Sequence, residues 1–478
     1  MNIFFRLYIH KEIYFHITIR NEILKHNLIH IALVFSMFST TAIASEEFTF
    51  AADEYPVSYQ NVAGQGLELE KLATQKYPVI NNDNSFYANG SYTVDHPGQM
   101  VLFDLFVADD FLDEYRIPSI TQTQSGKLIA AIEKREANGD KSSNDIVIRT
   151  STDGGRIWTD EQIVATDQIS FNDPNFAVAD NGDIYLFFNA LESHAGSTIG
   201  NPTNMQTGVV YVARSTDDGD TWSTPQVLET SHPEGPRSFT VSPGVSVVLK
   251  NGANQGDIIL PIRVNHTADG ISGLTADVDI RAGTIQLTVD DSGIVKTSFG
   301  STNPDAEVNE YQIAEMGSQD SLYYISRDTD GLSWGETSRT LYSSSYDNGQ
   351  NWNNNGSFGF FTTRTQSGLL RSDYNSNTRY YYSTPTGEYD YSKARHQGYI
   401  FESAAQGEGI SWKNSHKVKI TDLYFGNSTM VDLGDKIGLI YEFAEDKTGL
   451  NVGKVSRIRF MSLSKDYIRN GENAWPSN

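Results

Sequence analysis

Three arginines stand in short, distinctive segments that lie far apart in the chain. Arg116 belongs to the segment Y-R-I-P, Arg327 ends the segment S-L-Y-Y-I-S-R, and Arg395 opens the segment R-H-Q-G. A guanidinium group is planar, stays charged at any working pH and pairs with a carboxylate through two hydrogen bonds. A lone arginine is ordinarily a surface ion pair. Three that converge would contribute roughly 1.5–3 kcal/mol for each charge-assisted contact, enough to hold an acidic ligand.

Acidic residues in other short segments are candidates for proton transfer. Asp140 ends the polar stretch E-K-R-E-A-N-G-D, which also contains Arg135. Glu310 lies in N-E-Y-Q-I-A-E, and Glu442 ends G-L-I-Y-E. A carboxyl group can act as a general acid or base if the substrate is within hydrogen-bonding reach. Asp145 competes with Asp140 for this role, but it begins a predicted strand and suits a structural role better.

An eight-residue turn motif, S-x-D-x-G-x-x-W, recurs along the chain and indicates how these residues are positioned. It occupies residues 151–158, 215–222 and 345–352, so the copies start 64 and then 130 residues apart, which is about one and then two periods of 65. Eroded copies are expected near residues 280 and 410, where 288–293 and 409–412 keep parts of the motif. Aspartate and glycine favour the turn, and the tryptophan can pack the hairpin against its sheet. A fixed period in this range is typical of propellers and solenoids.

Each copy of the motif follows an alternating strand, so each repeat is predicted to be a small antiparallel sheet. Residues 106–465 contain room for five or six such sheets, and closing them into a ring protects their edges. We therefore predict an all-β fold, a six-bladed β-propeller over residues 106–465. Residues 45–105 are predicted to form a short β-rich N-terminal extension, and residues 466–478 a C-terminal tail.

The turn motif resembles the Asp-box of sialidases, and the other segments extend this resemblance over most of residues 111–445. Asp-boxes are structural and also occur in propellers with other activities, so they bear on the fold more than on the chemistry. The segment Y-R-I-P resembles the start of the sialidase catalytic domain, and G-L-I-Y-E resembles a late strand of that domain. The chain thus resembles the bacterial exo-sialidase (neuraminidase) family.

The resemblance implies a role for each candidate residue. The implied roles are binding of the substrate carboxylate by Arg116, Arg327 and Arg395, orientation of Arg116 by Glu442, acid/base catalysis by Asp140 with Arg135 beside it in the pocket, and activation of the nucleophile by Glu310.

The nucleophile is where the sequence departs from the family. Sialidases use a tyrosine, which avoids placing a carboxylate against the substrate's own carboxylate. The family segment Y-S-x-L is expected about fifteen residues before the L-Y-E strand, but this chain has N-S-T-M there, beginning at Asn427. Tyr424 lies three residues earlier. Either the loop is rearranged and Tyr424 is the nucleophile, or Asn427 marks a changed mechanism or activity.

The implied function is that of an exo-α-sialidase, a retaining hydrolase of terminal α-linked sialic acids or close nonulosonic acids on glycans. One alternative is a catalytically silent propeller that binds acidic glycans. Another is a hydrolase or trans-glycosidase of the same fold that acts on a different sugar acid. We expect a monomer that needs no cofactor, although the aspartate-rich turns offer oxygen ligands for a structural calcium ion.

Composition and the N-terminal sequence bear on location and partners. The 478-residue chain has a net charge of −24, which disfavours nonspecific binding to nucleic acid or anionic membranes. It has no cysteine, so its stability must come from a large core. Residues 1–44 combine a basic start, an apolar stretch at 28–38 and A-I-A before Ser45, as in a secretory signal. The apolar stretch is shorter than the ~20 residues of a membrane span, so we expect an exported, periplasmic or secreted protein without membrane insertion.

Overall fold

The structure is a computed structural model. It describes residues 2–9, 11–18, 47–52, 55–62, 66–71, 91–94, 100–107, 114–137, 139–197, 209–230, 239–265, 280–303, 308–317, 320–328, 337–363, 365–374, 377–386, 395–406, 409–410, 412, 416–444 and 457–473.

These residues form β-strands and one short helix, and the prediction of an all-β fold is confirmed. The strands of the first half are β1 (Asn2–Ile9), β2 (Lys11–Thr18), β3 (Glu47–Ala52), β4 (Tyr55–Val62), β5 (Gly66–Lys71), β6 (Ser91–Val94), β7 (Met100–Val107), β8 (Glu114–Gln122), β9 (Leu128–Arg135), β10 (Asn144–Ser151), β11 (Gln162–Ala165), β12 (Ile169–Val178), β13 (Ile184–Ser193), β14 (Val209–Ser215), β15 (Gln226–Val227), β16 (Phe239–Val241), β17 (Gly244–Val245) and β18 (Val247–Val248). The remaining elements are β19 (Ile258–Asn265), β20 (Ile280–Asp290), β21 (Gly293–Phe299), β22 (Val308–Glu315), β23 (Leu322–Asp328), β24 (Thr337–Ser345), β25 (Asn353–Thr363), β26 (Gly368–Tyr374), β27 (Asn377–Pro385), β28 (His396–Gln406), β29 (Gly409–Ile410), β30 (His416–Asp432), β31 (Lys436–Ala444), β32 (Arg457–Ser464), α1 (Lys465–Arg469) and β33 (Glu472–Asn473).

Antiparallel meanders of four strands are the repeating unit. Strands β8 to β11 pair in chain order, and so do β12 to β15, β22 to β25 and β26 to β29. Strand β16 pairs with β19, and β20 and β21 follow in the same sheet. The strands are rich in β-branched and aromatic residues, which pack well on a pleated surface. The buried side chains form apolar clusters, such as the one around Phe171, Phe188 and Tyr211.

The last meander is completed by a strand from much earlier in the chain. Strands β30, β31 and β32 pair in order, and β7 then pairs antiparallel with β32, with Phe106 opposite Ile458. Asp104 of β7 forms buried ion pairs with Arg457 at 2.9 Å and Arg459 at 2.7 Å. The predicted boundary at residue 106 therefore falls inside a strand that belongs to the C-terminal sheet.

The turn motif has the hydrogen bonds that its residue types predict. In the first copy Ser151 Oγ donates to Asp153 Oδ1 at 2.8 Å, and the Gly155 amide donates to Ser151 Oγ at 3.0 Å. The Ile157 amide donates to Asp153 Oδ1 at 2.9 Å. The same three contacts recur in the other two full copies. The aspartate thus accepts backbone N–H groups that the turn leaves without a strand partner.

The first eroded copy also lies at a sheet turn, and the second keeps a buried tryptophan. Residues 290–293 connect β20 to β21, where Asp290 Oδ1 accepts from the Ser292 amide at 2.7 Å. Trp412 is buried, and its Nε1 donates to the Tyr323 hydroxyl at 3.3 Å.

The glycine of each turn lies against another meander. Gly155 has a φ of 90°, and a Cβ atom there would lie 2.1 Å from Cε1 of Phe460 on β32. Trp158 packs edge-on against the same ring, with centroids 5.3 Å apart. A Cβ on Gly219 would lie 2.3 Å from Cδ1 of Ile129 on β9. A residue without a side chain is therefore needed where two neighbouring sheets touch. The contacts of Gly155 and Trp158 with Phe460 also show that the first meander packs against the last.

The N-terminal part contains a two-stranded sheet of β1 and β2 and a three-stranded sheet of β3, β4 and β5. Residues 28–38 and 42–44, which carry the prediction of a secretory signal, lie outside the described residues. Within the described ranges, no helix is both long enough and apolar enough to cross a bilayer.

Candidate functional site

Arg116 lies near the start of β8, where the strand is irregular. The pairing of β8 with β9 shifts register between Arg116 and Ser119. Between them, Ile117 has a φ of 53°, a left-handed conformation that β-branched residues rarely adopt. Such backbone strain persists only where the surroundings hold it. Here the Ile117 amide donates to Glu442 Oε1 at 3.0 Å, so the strained turn fixes the direction in which Arg116 leaves the strand.

Glu442 on β31 is the carboxylate that joins two of the predicted arginines. Its Oε1 accepts from Arg116 Nε at 2.8 Å, and its Oε2 lies 3.7 Å from an NH1 atom of Arg395. The side chain is 0% exposed. Burial alone would raise the pKa of Glu442, but the charges of Arg116 and Arg395 outweigh burial and lower it. Glu442 is therefore an ionised counter-charge shared by both arginines.

Arg395 also contacts the predicted nucleophile. It immediately precedes β28, and its NH1 lies 3.4 Å from the Tyr424 hydroxyl. Burial would lower the pKa of Arg395, but the neighbouring Tyr424 and Glu442 raise it. Tyr424 is half-buried on β30, and its ring meets the ring of His396 edge-on. The tyrosine thus stands beside the arginine pair.

The third predicted arginine pairs with the predicted activating glutamate. Arg327 on β23 places NH1 2.8 Å from Oε2 of Glu310 on β22. Burial would raise the pKa of Glu310, but the charges of Arg327, Arg263 and Arg395 lower it to about 2. Coulomb interactions weaken with distance and screening. The pKa of Glu310 is also lowered by Arg395, so the Arg327–Glu310 ion pair lies within electrostatic range of Arg395.

Asp140 and Arg135 are in contact, as the sequence predicts for neighbours in one pocket. Arg135 ends β9 and is buried, and its NH1 lies 2.9 Å from Oδ1 of Asp140, whose side chain is 77% exposed. Its Nε donates to Glu133 Oε2 at 2.8 Å. Burial raises the pKa of Glu133 to about 7 even though Arg135 opposes the rise. Asp145 lies instead within β10, opposite Lys134.

Three charged residues at this site were not found from the sequence, namely Glu133, Asp173 and Arg263. The Asp173 amide donates to Glu133 Oε1 at 2.7 Å, and its carboxylate pairs with Arg263. Arg263 NH1 donates to Asn309 Oδ1 at 2.9 Å. One signal was available, because Arg263 interrupts the apolar strand I-I-L-P-I-R-V-N. A charge inside such a strand requires a buried partner.

Asn427 occupies the frame in which a tyrosine was expected. Its Nδ2 donates to Glu442 Oε1 at 3.1 Å, and its backbone amide donates to Glu442 Oε2 at 3.2 Å. Its Oδ1 accepts from Thr365 Oγ1 at 2.6 Å and from the Gln366 amide at 3.0 Å. Asn427 is 1% exposed. It faces the carboxylate of Glu442 from within the sheet.

These groups form one set of alternating charges, the arginine–carboxylate cluster. Its members are Arg116, Arg135, Arg263, Arg327, Arg395, Glu133, Asp140, Asp173, Glu310 and Glu442. Its ion pairs also influence one another electrostatically, because the charge of Arg116 affects the pKa of Arg135 and the charge of Glu310 affects the pKa of Asp173. It combines guanidinium groups for an anion with carboxyl groups for proton transfer. In the described part of the chain, no group of three histidine, aspartate or glutamate residues is arranged to hold a metal ion.

Comparison with known proteins identifies the family of the chain. A family model described as a BNR repeat-like domain matches residues 126–377, which is more than half of the chain. The chain belongs to this family. The sialidase of Micromonospora viridifaciens is 31% identical over 203 residues, which cover 39% of this chain and 31% of that protein. The resemblance to bacterial sialidases is thereby confirmed, although the matched segments span only 31% to 65% of the curated relatives.

Solved structures show that the chain has the sialidase fold. A Hadza microbial sialidase has a TM-score of 0.60 at 20% identity, covering 87% of this chain and 75% of that one. The intramolecular trans-sialidase from Ruminococcus gnavus has a TM-score of 0.58 at 17% identity, covering 77% of this chain and 98% of that one.

Proposed function

We propose that the protein is an exo-α-sialidase, a retaining glycoside hydrolase that releases terminal α-linked sialic acids, or close nonulosonic acids, from glycans. The observation that carries the proposal is the sharing of the buried carboxylate of Glu442 by Arg116 and Arg395. The Arg327–Glu310 ion pair lies within electrostatic range of Arg395. A site with converging arginines suits a sugar that bears a carboxylate.

In this proposal Arg116, Arg327 and Arg395 bind the substrate carboxylate, and Asp140 is the acid and base. Asp140 gives its proton to the leaving glycosidic oxygen and later takes a proton from water. Its side chain is 77% exposed and is held by Arg135 at 2.9 Å, so it can meet an entering glycan while remaining oriented. Arg135 acts as the pocket arginine beside it.

Tyr424 is the proposed nucleophile, because its hydroxyl lies 3.4 Å from Arg395 NH1. Its oxygen bonds to the anomeric carbon as the bond to the leaving oxygen breaks, and Glu310 takes its proton. Water, deprotonated by Asp140, then attacks the same carbon as the bond from that carbon to the Tyr424 oxygen breaks, and Glu310 returns the proton to the tyrosine. Two displacements at one carbon retain its configuration.

Substrate binding would also increase the basicity of Glu310. In the free protein Arg327, together with Arg263 and Arg395, keeps the pKa of Glu310 near 2, which makes it a weak base. A substrate carboxylate that attracts Arg327 weakens this ion pair and raises the pKa of Glu310. Proton transfer from Tyr424 to Glu310 would then be easier with a substrate bound than in the free protein. This chemistry uses side chains alone and needs no cofactor.

We further propose that the meanders are six blades of a closed propeller over residues 100–465, which moves the predicted start from residue 106 to include all of β7. The four-stranded meanders that begin at β8, β12, β16, β22, β26 and β30 support this arrangement. So does the contact of Gly155 and Trp158 in the first meander with Phe460 in the last. A ring brings the first and last blades together, which also lets Arg116 reach Glu442. The proposed extension then shortens from residues 45–105 to residues 45–99, and residues 466–478 remain the proposed tail.

We also propose that residues 1–44 are a signal that directs export to the periplasm or the medium. N-terminal sequencing of the exported protein tests this, with Ser45 as the expected first residue. An exported protein that begins at Met1 would show that the segment is not removed.

A fluorogenic α-sialoside tests the hydrolase directly. Asp140→Ala and Arg327→Ala should each lower kcat/KM by at least about a hundredfold, the scale of a lost general acid or charged contact. Asp220→Ala is the matched control for Asp140, because Asp220 is also an exposed carboxylate with an ion pair at 2.8 Å. Arg371→Ala is the control for Arg327, since Arg371 pairs with Glu315 at 2.9 Å and is similarly buried. Full activity in both site variants would refute the assignment.

A second candidate function is a silent propeller that binds acidic glycans. The burial of Asn427 in the expected tyrosine frame favours it. Binding to a sialylated glycan array without product release from the wild-type protein would support this candidate over the hydrolase. Product analysis with an added sugar acceptor separates hydrolysis from transfer to another hydroxyl group.

A further inference from the structure

Glu442 must hold a single rotation if it is to keep two arginines together. Its Oε1 accepts from Arg116 Nε at 2.8 Å, from the Ile117 amide at 3.0 Å and from Asn427 Nδ2 at 3.1 Å. Its Oε2 faces Arg395 NH1 at 3.7 Å. A rotation of the carboxylate about its last bond would break the Arg116 contact and the Arg395 contact at the same time.

Asn427 can set this rotation because its own amide has only one workable orientation. Its Oδ1 accepts two hydrogen bonds, from Thr365 Oγ1 at 2.6 Å and from the Gln366 amide at 3.0 Å. An ionised carboxylate only accepts hydrogen bonds, so the NH₂ end must face Glu442. The reversed amide would place an oxygen against the carboxylate and an NH₂ group against two donors.

The backbone around Asn427 presses on the same carboxylate. The register of β30 against β31 is irregular between Phe425 and Ser428. A Cβ atom on Gly426 would lie 2.3 Å from Glu442 Oε2, so the main chain approaches closer there than any other residue allows. Thr429 Oγ1 donates to the Pro118 carbonyl at 2.7 Å, which ties β30 to the strained segment after Arg116.

We propose that Asn427 is a positioning residue of this site: its amide holds the Glu442 carboxylate in the rotation that keeps Arg116 and Arg395 side by side. This inference rests on the proposed sialidase function and deepens it. Asn427 then has a role different from that of the tyrosine expected in its frame. It contributes no reacting atom, but it keeps two anion-binding groups in register before a substrate arrives.

Asn427→Asp separates this role from a purely structural one. The aspartate keeps an acceptor for Thr365 and Gln366 but replaces the donor that faces Glu442 with a second carboxylate. The charged or titratable side chains that face this pair are Arg116, Arg395 and Tyr424. Two carboxylates this close cannot both stay ionised without repulsion. Glu442 would then rotate away at neutral pH, or the two groups would share a proton in acid.

Isothermal titration with 2-deoxy-2,3-didehydro-N-acetylneuraminic acid at pH 7.5 and pH 5 measures the effect. At pH 7.5 we expect Asn427→Asp to weaken binding roughly tenfold to a hundredfold, the scale of a lost hydrogen bond to a charged group. At pH 5 most of the affinity should return. Asn303→Asp is the matched control, because Asn303 is equally buried but its amide donates to the Tyr324 hydroxyl at 2.6 Å. Wild-type affinity of Asn427→Asp at pH 7.5, or equal losses in Asn303→Asp, would overturn the proposal.

A crystal structure of Asn427→Asp at pH 7.5 keeps this proposal distinct from the proposed function. If the wild-type protein does not bind the sugar acid, the proposed function is wrong, and the distance from Arg116 Nε to Glu442 Oε1 still decides the positioning role. A distance beyond hydrogen-bonding range supports it, and an unchanged 2.8 Å contact overturns it.

Thr365→Val serves if Asn427→Asp does not fold. It removes one of the two donors that orient Asn427, so Asn427 should hold the Glu442 carboxylate less firmly. The affinity for the same sugar acid should then fall roughly twofold to tenfold. Unchanged affinity in that variant would overturn the proposal.

Discussion

Replacing Arg327 by methionine tests whether this arginine keeps Glu310 ionised. The change removes the cation but leaves an apolar chain of similar length. The pKa of Glu310 falls from 4.5 to about 2 in the folded protein. That difference corresponds to about 3 kcal/mol of stabilisation of the ionised form. Arg327 supplies the largest favourable charge and a hydrogen bond, while Arg263 and Arg395 supply the rest. We therefore expect Arg327→Met to lower the free energy of unfolding by about 2 kcal/mol at pH 7, below the 3–5 kcal/mol for an isolated buried pair.

The pH dependence of this loss has a definite sign. Because the folded pKa of Glu310 lies below its ordinary value of 4.5, the stabilisation is fully present above that value. It disappears as the pH falls from about 4.5 toward 2, where Glu310 takes up a proton in both states. The difference in the free energy of unfolding between the wild type and Arg327→Met should therefore be smaller at pH 3 than at pH 7.

Urea unfolding at pH 7 and pH 3 measures these differences. The set is the wild type, Arg327→Met, Glu310→Gln and the double variant, with Arg371→Met as a control at an ion pair elsewhere. The double-mutant cycle isolates the coupling between the two side chains. A coupling energy near zero at pH 7 would refute the claim that Arg327 keeps Glu310 ionised. An equal loss of unfolding free energy in Arg327→Met at pH 7 and pH 3 would also refute it.

Three further predictions concern other parts of the molecule. Tyr424→Phe should abolish turnover of a fluorogenic sialoside with little change in KM. Asn427→Tyr forces a ring into a fully packed site and should not raise kcat. A rise in kcat would mean that residue 427, where the family has its tyrosine, is the position of the nucleophile. Burial raises the pKa of Glu133 from 4.5 to about 7, so the native state holds this proton more tightly than the unfolded state does. The free energy of unfolding should therefore fall as the pH rises from about 4.5 to 7. Glu133→Gln should reduce that fall in urea unfolding measured across this pH range, and an unchanged dependence on pH would contradict the account. Gly155→Ala should cost about 1–3 kcal/mol more than Gly154→Ala in urea unfolding, because both glycines have positive φ but only Gly155 touches another sheet; equal losses would count against that contact.

The repeat made most of the fold predictable. Its period identified sheets of similar size, and the aspartate and glycine of each turn predicted hydrogen bonds that the structure has. The pairing of β7 with β32 was not predictable, because the partners are more than 300 residues apart and no local pattern encodes their register. Strand β7 pairs with β32 because β32 has an edge without another strand partner, and that edge exists only after the C-terminal strands have assembled.

The site was predictable only where its residues lie in short motifs. Arg116, Arg327 and Arg395 could be found in this way because neighbouring residues mark each of them. Arg263 is a single charge in a largely apolar strand, and Asp173 is the one charged residue of a mixed strand. That the two pair with each other becomes apparent only when the strands are assembled. A buried charge in a strand predicts that a counter-charge exists, but the sequence does not say where it lies.

The charge balance of the arginine–carboxylate cluster explains how a strongly acidic protein can keep an anion site. The cluster contains five arginines and five carboxyl groups, so each buried arginine has a partner before any substrate binds. Removing one partner of a buried ion pair destabilises the fold because it leaves an uncompensated charge, whereas a set in which every charge has a partner avoids that cost. A substrate carboxylate adds one negative charge to this balanced set. Glu133, with a pKa of about 7, is the group poised to take up a proton at neutral pH. Its protonation restores the balance, so by linkage an anion should bind more tightly as the pH falls through that value.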